Sequence, residues 1–334
     1  MQPSEGDNAK SGMKSGEIDA RYENPRLKEG AWPSMRGGVV ACVLALACLS
    51  SSCNRHPAPA PVAEPIHVIT PVYIIADVVR QIGGDRVDAQ WWIETGQSLD
   101  DLQQTPERRN QVRNADIVVS RGLVDPWTLE GMTNEFDSRR IIRLDKLASS
   151  SAADPRLYMW LDPSVVLELT DELTARMAAQ DPRNEKMFRK NAAAFRARVL
   201  AACERVRPVM DAARGGFLTL DRGFVPLAKR FALNEVRVEA INLSDPSAYG
   251  VKVLRETAKT SGARAIFIND QTPAALVRDW ESRLELMVLP LDALGSSAGG
   301  SGRSTYLQVL EYNLEQLTKG MKAGQTPATT RAGR

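Results

Sequence analysis

Apolar positions along residues 66–320 alternate between two rhythms, short continuous runs and longer stretches spaced three and four apart. The first pair is a strand at His67-Val68-Ile69 and a helix opened by Thr70-Pro71. In that helix Ile75, Val78, Val79 and Ile82 form one stripe, and Gly83-Gly84 ends it. The pattern then predicts a strand over residues 89–93, a loop over 94–104 and a polar helix opened by Thr105-Pro106. A continuous apolar strand follows at 115–120, of the kind buried on both faces in parallel sheets. Residues 122–127 read as a turn, 141–144 as a short strand and 164–179 as a helix.

Residues 181–215 carry one long helical pattern. Asp181 suits the N-cap and Pro182 the first helical position, where its missing N–H costs nothing. Met187, Phe188, Ala192, Phe195, Val199, Cys203, Val206 and Met210 recur at helical spacing. Arg189, Lys190, Arg196, Arg198, Glu204 and Arg205 lie mainly on the other faces. At about 1.5 Å per residue this makes a rod roughly 45–50 Å long, which Pro208 either kinks or ends early. Such a rod reads as a spine joining two lobes, because the strand–helix rhythm resumes beyond it.

The second half predicts strands at 217–220, 236–241, 265–268 and 286–291, and helices at 224–231, 248–261 and 272–284. A glycine-rich loop over 295–302, expected to be a mobile flap, precedes a last helix lined by Leu307, Leu310, Leu314 and Leu317. Strands alternating with helices predict an α/β fold: two Rossmann-like lobes with mostly parallel sheets and ligand crevices at the strands' carboxyl ends.

The beginning of the chain has another character. Residues 1–34 are polar and aperiodic and read as a disordered, over-called extension, with Met35 as the initiator. Residues 35–53 combine Arg36, the apolar run 39–49 and small residues before Cys53, as in a secretory signal. That run is shorter than the roughly 20 residues of a transmembrane helix. Cys53 resembles the lipidated cysteine of a bacterial lipobox, with Cys48 a weaker alternative. Residues 54–65 (NRHPAPAPVAEP) form a Pro/Ala tether in which His56 is a solvated bystander. The expected organisation is therefore leader, tether, a first lobe over 66–180, the spine over 181–214, a second lobe over 215–321 and a loose tail over 322–334. A lipid anchor followed by a tether places the folded part outside the cytoplasm, at a membrane surface it does not cross.

Composition narrows the function. A net charge of +2 over 334 residues, without a dense Lys/Arg block among aromatics, argues against nucleic acid. Three of the four cysteines lie in the leader, so the body has neither a disulfide framework nor a Cys metal pair, and Cys203 reads as a small buried hydrophobe. Two histidines in total exclude most Ser-His and Cys-His relays. Phosphate-loop, nucleophile-elbow, H-E-x-x-H and C-x-x-C motifs are all absent. The sequence thus predicts a binding protein and not an enzyme. Trp91 and Trp92 alternate faces on their strand, one for the core; Trp127 and Trp160 read as packing residues, and His67 as part of a buried strand.

Seven phrases in order carry a resemblance: VITPVYIIADVVRQIGGDRV, GQSLDDLQQTP, ADIVVSRGLVDPW, MWLDP, PLAKRFAL, LPLDALG and YLQVLEYNLEQL. Together they resemble the metal-binding solute-binding lipoproteins of bacterial ABC importers, the zinc and manganese cluster. The resemblance implies two α/β lobes, a rigid linking helix and a metal held between the lobes, delivered by a monomer to a membrane ABC permease. It also places the ligands. Counting back from Thr105-Pro106 puts Asp100 where similar proteins have a histidine, with Asp101 beside it. Tyr158 stands at the second histidine position, Asp221 at a third His or Glu position, and Asp292 keeps the usual aspartate. The family's His-rich loop is missing. Three carboxylates and a phenol offer no nitrogen or sulfur for a tetrahedral zinc site and suit oxygen-seeking divalent cations, with Mn²⁺ or Zn²⁺ the expected cargo. Converging carboxylates also require a positive partner, which is either a metal or a protein cation such as Arg156 or Arg222. The alternative function is a degenerate receptor that keeps the fold, has lost metal binding and binds another ligand or serves as a surface scaffold. An arginine filling the point where the carboxylates meet is the mark of that alternative.

Overall fold

The computed structural model describes residues 64–325, apart from 95–96, 98–104, 123–124, 126–136, 148–156, 214, 239–247, 285 and 297–302. The leader, Cys53, the tether as far as residue 63, Asp100, Asp101, Trp127, Arg156 and residues 297–302 of the glycine-rich loop lie outside the described residues. Two four-stranded parallel sheets form the frame. The first holds β1 (Ile66–Val72), β2 (Val87–Ile93), β3 (Ile117–Ser120) and β4 (Ile141–Arg143) in the order β2-β1-β3-β4. The second holds β5 (Gly216–Thr219), β6 (Asn234–Arg237), β7 (Ala265–Asn269) and β8 (Met287–Leu291) in the order β6-β5-β7-β8. The two orders are the same topology twice. In each sheet the chain reverses its direction of growth between the first and third strands, where doubly wound sheets open a crevice at the carboxyl edge.

The helices follow the amphipathic pattern. α1 (Tyr73–Gly83), α2 (Pro106–Asn114), the single turn α3 (Leu144–Leu147) and α4 (Pro163–Gln180) belong to the first lobe. α5 (Glu185–Asp211) is the spine, 27 residues and roughly 40 Å long. α6 (Val225–Arg230), α7 (Ala248–Ser261), α8 (Ala274–Arg283) and α9 (Tyr306–Gln325) complete the second lobe. α5 packs on α1 and α4 of the first lobe and on α9 of the second. Its apolar stripe, Phe188, Phe195, Val199 and Cys203, is buried in a core continuous with both lobes. The far face of the second sheet buries Leu218, Ile266, Ile268 and Val288 with Leu254 and Trp280, so these strands are covered on both sides.

Several local expectations are corrected. β1 runs through Pro71, so the helix begins at Tyr73 and not at Thr70-Pro71; pairing of Thr70 with Trp91 and of Val72 with Ile93 carries the backbone past the proline. His67 lies in that strand with its side chain exposed, its ring against Asp88 at 3.3 Å. Asp181 does not cap the spine. Pro182–Asn184 form a 3₁₀ turn, α5 starts at Glu185, and the Asp181 carboxylate instead takes Asn184 Nδ2 and Arg86 Nε. Pro208 sits inside α5, so close to its end that the helix runs on to Asp211. β6 spans Asn234–Arg237, earlier than expected, because Ala232 turns the chain at a φ of 50° and β6 aligns with β5 from Gly216 onward. The last helix passes through Gly320 to Gln325. Gly320 is there for close approach, since a Cβ would meet Phe267 at 2.5 Å, and it does not end the helix.

Asp77 on α1 accepts the Tyr306 N–H at the start of α9 at 2.8 Å, a cap supplied from the other lobe. Burial raises its pKa, against the hydrogen bonds from Tyr306 and Gln81 and the charges of Arg80 and Arg198. A carboxyl raised in the folded state binds more protons there than in the unfolded chain. Its contribution to stability therefore grows as pH falls from the raised value towards the ordinary carboxylate range, and shrinks as pH rises. In urea unfolding between pH 4 and 7, Asp77→Asn is expected to flatten this component, so that wild type gains on the variant as pH falls. Parallel stability curves would contradict it. Asp77→Ala, which leaves the Tyr306 N–H uncapped, should cost about 1–3 kcal/mol.

Candidate functional site

Three neighbouring strands of the second sheet end in polar residues at their carboxyl edge: Asp221 after β5, Asn269-Asp270 at the end of β7, and Asp292 after β8. Asp221 is fixed by its own turn. Its N–H donates to Thr219 Oγ1 at 3.1 Å, and its Oδ1 accepts from Gly223 N at 2.8 Å, capping the 3₁₀ turn Arg222–Phe224. The other oxygen, Oδ2, receives Tyr158 Oη and Asn269 Nδ2, each at 3.2 Å.

Tyr158 arrives from the first lobe. Its backbone N–H donates to Gly223 O at 3.1 Å, and its ring packs edge-on against Phe224 with centroids 5.6 Å apart. The contact demands a glycine: a Cβ on Gly223 would come within 2.1–2.7 Å of the Tyr158 ring. Trp160, two residues on, is fully buried and donates from Nε1 to Ala293 O at 2.7 Å, beside Asp292. Tyr158, Trp160 and the turns after β5 and β8 thus lock the two lobes together around the carboxyl edge.

Asp292 is itself buried. Its Oδ1 accepts from Leu294 N at 3.0 Å and Gly295 N at 2.8 Å, and Asn313 brackets its backbone on both sides. Oδ2 is taken by Arg303 Nε at 2.6 Å, and a terminal nitrogen of the same guanidinium reaches Asp270 Oδ2 at 2.7 Å. The guanidinium carbon lies 4.2 Å from the centre of the Tyr312 ring. Burial, then the charge of Asp292, pushes Asp270 up to about 6, against the opposing pull of Arg303. Burial also raises the Tyr312 phenol.

Of the expected site residues, the fold brings Tyr158 and Asp221 into direct contact and sets Asp292 two strands away on the same edge. The position of Asp100 falls outside the described residues. Of the two cations anticipated from the sequence, Arg156 lies outside the described residues. Arg222 is exposed on its turn, and Arg303 holds the place. Among the described residues no three His, Cys, Asp or Glu side chains already stand in metal-holding geometry. Sequence reasoning missed Asn269, Asp270 and Arg303. The first two directly follow an apolar parallel strand, which is where such sheets place ligand groups; Arg303 is the charge next to a glycine-rich loop. Trp92 is the core member of its pair. Trp91 packs at the core's edge against Tyr73 and under the Arg80 guanidinium, and Cys203 is buried with its thiol pKa raised by desolvation.

A profile of the family described as zinc-uptake complex component A, periplasmic, matches residues 68–320. The chain is 21% identical to the high-affinity zinc uptake system protein ZnuA of Bacillus subtilis, over 84% of this chain and 94% of that one. It is 19% identical to the manganese ABC transporter substrate-binding lipoprotein PsaA of Streptococcus pneumoniae, over 85% and 97%. The fold resembles the crystal structure of the metal-dependent lipoprotein YcdH from Bacillus subtilis, with a TM-score of 0.67 and 21% identity, over 77% of this chain and 99% of that chain.

Proposed function

Because the chain belongs to the family of zinc-uptake complex component A periplasmic proteins, a family of substrate-binding transport proteins, we propose that it captures a divalent cation between its lobes and delivers it to the permease of a metal-ion ABC importer. The observation that supports this most is the meeting of Tyr158 and Asp221, from different lobes, at the carboxyl edge of the second sheet. Among the described residues, the carboxyls of Asp221, Asp270 and Asp292 gather at this edge with the Arg303 guanidinium on two of them, an excess of acidic groups that favours a cationic cargo. In this reading Asp100, Tyr158, Asp221 and Asp292 supply oxygen donors. With no imidazole among them, the site favours Mn²⁺ more than a histidine-bearing site does, although the general affinity order still places Zn²⁺ above Mn²⁺ at one common site. Cys53 and the Pro/Ala tether hold the protein at the outer face of the membrane as a monomer within reach of the permease.

One observation favours a second reading, a receptor that has given up metal: Arg303 already occupies the Asp292 carboxylate. Calorimetric titration of the metal-stripped chain with Mn²⁺, Zn²⁺, Mg²⁺ and Fe²⁺ separates the two. The first reading expects one saturable site that Asp221→Ala abolishes. No heat and no thermal shift with any of the four at millimolar concentration would establish the second.

A further inference from the structure

We infer that Arg303 is a tethered counter-ion that competes with the cargo for Asp292 and sets the affinity of the site; this rests on the reading above, that the cargo is a cation. The Asp292 carboxylate is nearly saturated. Two backbone N–H groups hold Oδ1 and the guanidinium holds Oδ2 at 2.6 Å, on a side chain only 4% exposed. A cation bound to Oδ2 at about 2.0–2.6 Å would stand against the guanidinium, and two positive charges cannot share that buried oxygen without strong repulsion. Cargo binding at Asp292 therefore requires the Arg303 side chain to leave it.

The surroundings provide for that exchange. Asp270 at 2.7 Å and the face of Tyr312 at 4.2 Å are already in contact with the guanidinium, so both can retain it once Asp292 is taken. The Arg303 backbone meanwhile stays pinned. Its carbonyl accepts Ser296 N at 3.1 Å, the Ser304 carbonyl accepts Tyr73 Oη at 2.9 Å from the first lobe, and Tyr306 N donates to Asp77. Only the flexible side chain needs to move. The same contacts account for Asp270: a second carboxylate beside a buried one is costly unless it holds the displaced arginine. The protein without cargo escapes an uncompensated buried charge, and the cargo binds more weakly in exchange.

The test is calorimetric titration of the full, metal-stripped chain with Mn²⁺, comparing wild type with Arg303→Gln, which keeps a hydrogen-bond donor and removes the charge, and with Arg303→Lys, which keeps the charge. Arg303→Gln should bind Mn²⁺ at least about tenfold more tightly, and Arg303→Lys should stay within a few-fold of wild type. Binding by wild type with unchanged or weaker binding by Arg303→Gln would overturn the inference alone. Silence from both proteins would overturn the cation reading and the inference with it, whereas binding by Arg303→Gln alone would support the competition at Asp292 while overturning the cation reading for the wild-type chain. Should Arg303→Gln not fold, wild type labelled with ¹⁵N-arginine and titrated with diamagnetic Zn²⁺ reports directly. The Arg303 Nε–H resonance is expected to move as the site fills, and an unmoved resonance at saturation would overturn the competition.

Discussion

Trp160→Ala is expected to lower the stability of the fold by about 3–5 kcal/mol, the cost of emptying a large buried aromatic site. Trp160 is fully buried, its ring lies 5.7 Å from that of Tyr158, and its Nε1 donates to Ala293 O at 2.7 Å. Truncation opens a cavity where the lobes meet and strips the Ala293 carbonyl of its donor, which adds on the order of 1 kcal/mol. Against a total stability of roughly 5–15 kcal/mol this is a large fraction. Trp160→Phe separates the two components, since it keeps most of the packing and loses only the hydrogen bond, for an expected cost of about 1–2 kcal/mol. Urea unfolding followed by circular dichroism measures both. A loss below about 1 kcal/mol for the alanine variant would show that the lobes do not depend on this contact. Because Ala293 adjoins Asp292, the alanine variant should also weaken cation binding.

The second large effect is a gain. Asp100→His combined with Tyr158→His would place nitrogen donors at the two positions where the family resemblance implies histidine, and in the proposed ligand set should raise zinc affinity at least tenfold, roughly 1.4 kcal/mol. The Tyr158 position is built for it. The ring lies on Gly223, and its hydroxyl already reaches Asp221 Oδ2, so an imidazole there would stand beside the same carboxylate. Competition titration of zinc against a chromophoric chelator reads the change. Unchanged zinc affinity in the double variant would mean that the two positions do not share a cation, and that the ligand positions carried over from the family do not hold in this chain.

Much of the frame was legible in the sequence because buried parallel strands announce themselves as unbroken apolar runs. The expected β3 and β7 differ from the observed strands by two residues at most at either end, and the expected α7 has the observed bounds. The errors fall where tertiary pairing overrides a local rule. Pro71 reads as a helix opener, yet β1 lies between β2 and β3 and continues past it. The tail from 322 reads as loose, yet α9 runs on to Gln325, and the missing side chain of Gly320 lets it lie against Phe267. Tyr158, Asp221 and Asp292 are candidate site residues only through the resemblance, because isolated aspartates in loops carry no periodicity. Arg303 was invisible for a different reason. Its partners Asp270 and Asp292 lie 33 and 11 residues away, and the pairing of β7 with β8 brings all three together.

Whether a cation sits between Tyr158 and Asp221 is decided by a crystal structure of the chain grown with Mn²⁺, with the ion located by its anomalous scattering. One peak is expected at the carboxyl edge of the second sheet, with oxygens of Tyr158 and Asp221 within about 2.0–2.6 Å of it and the Arg303 guanidinium withdrawn from Asp292. A peak elsewhere, or none while Arg303 still holds Asp292, would contradict it.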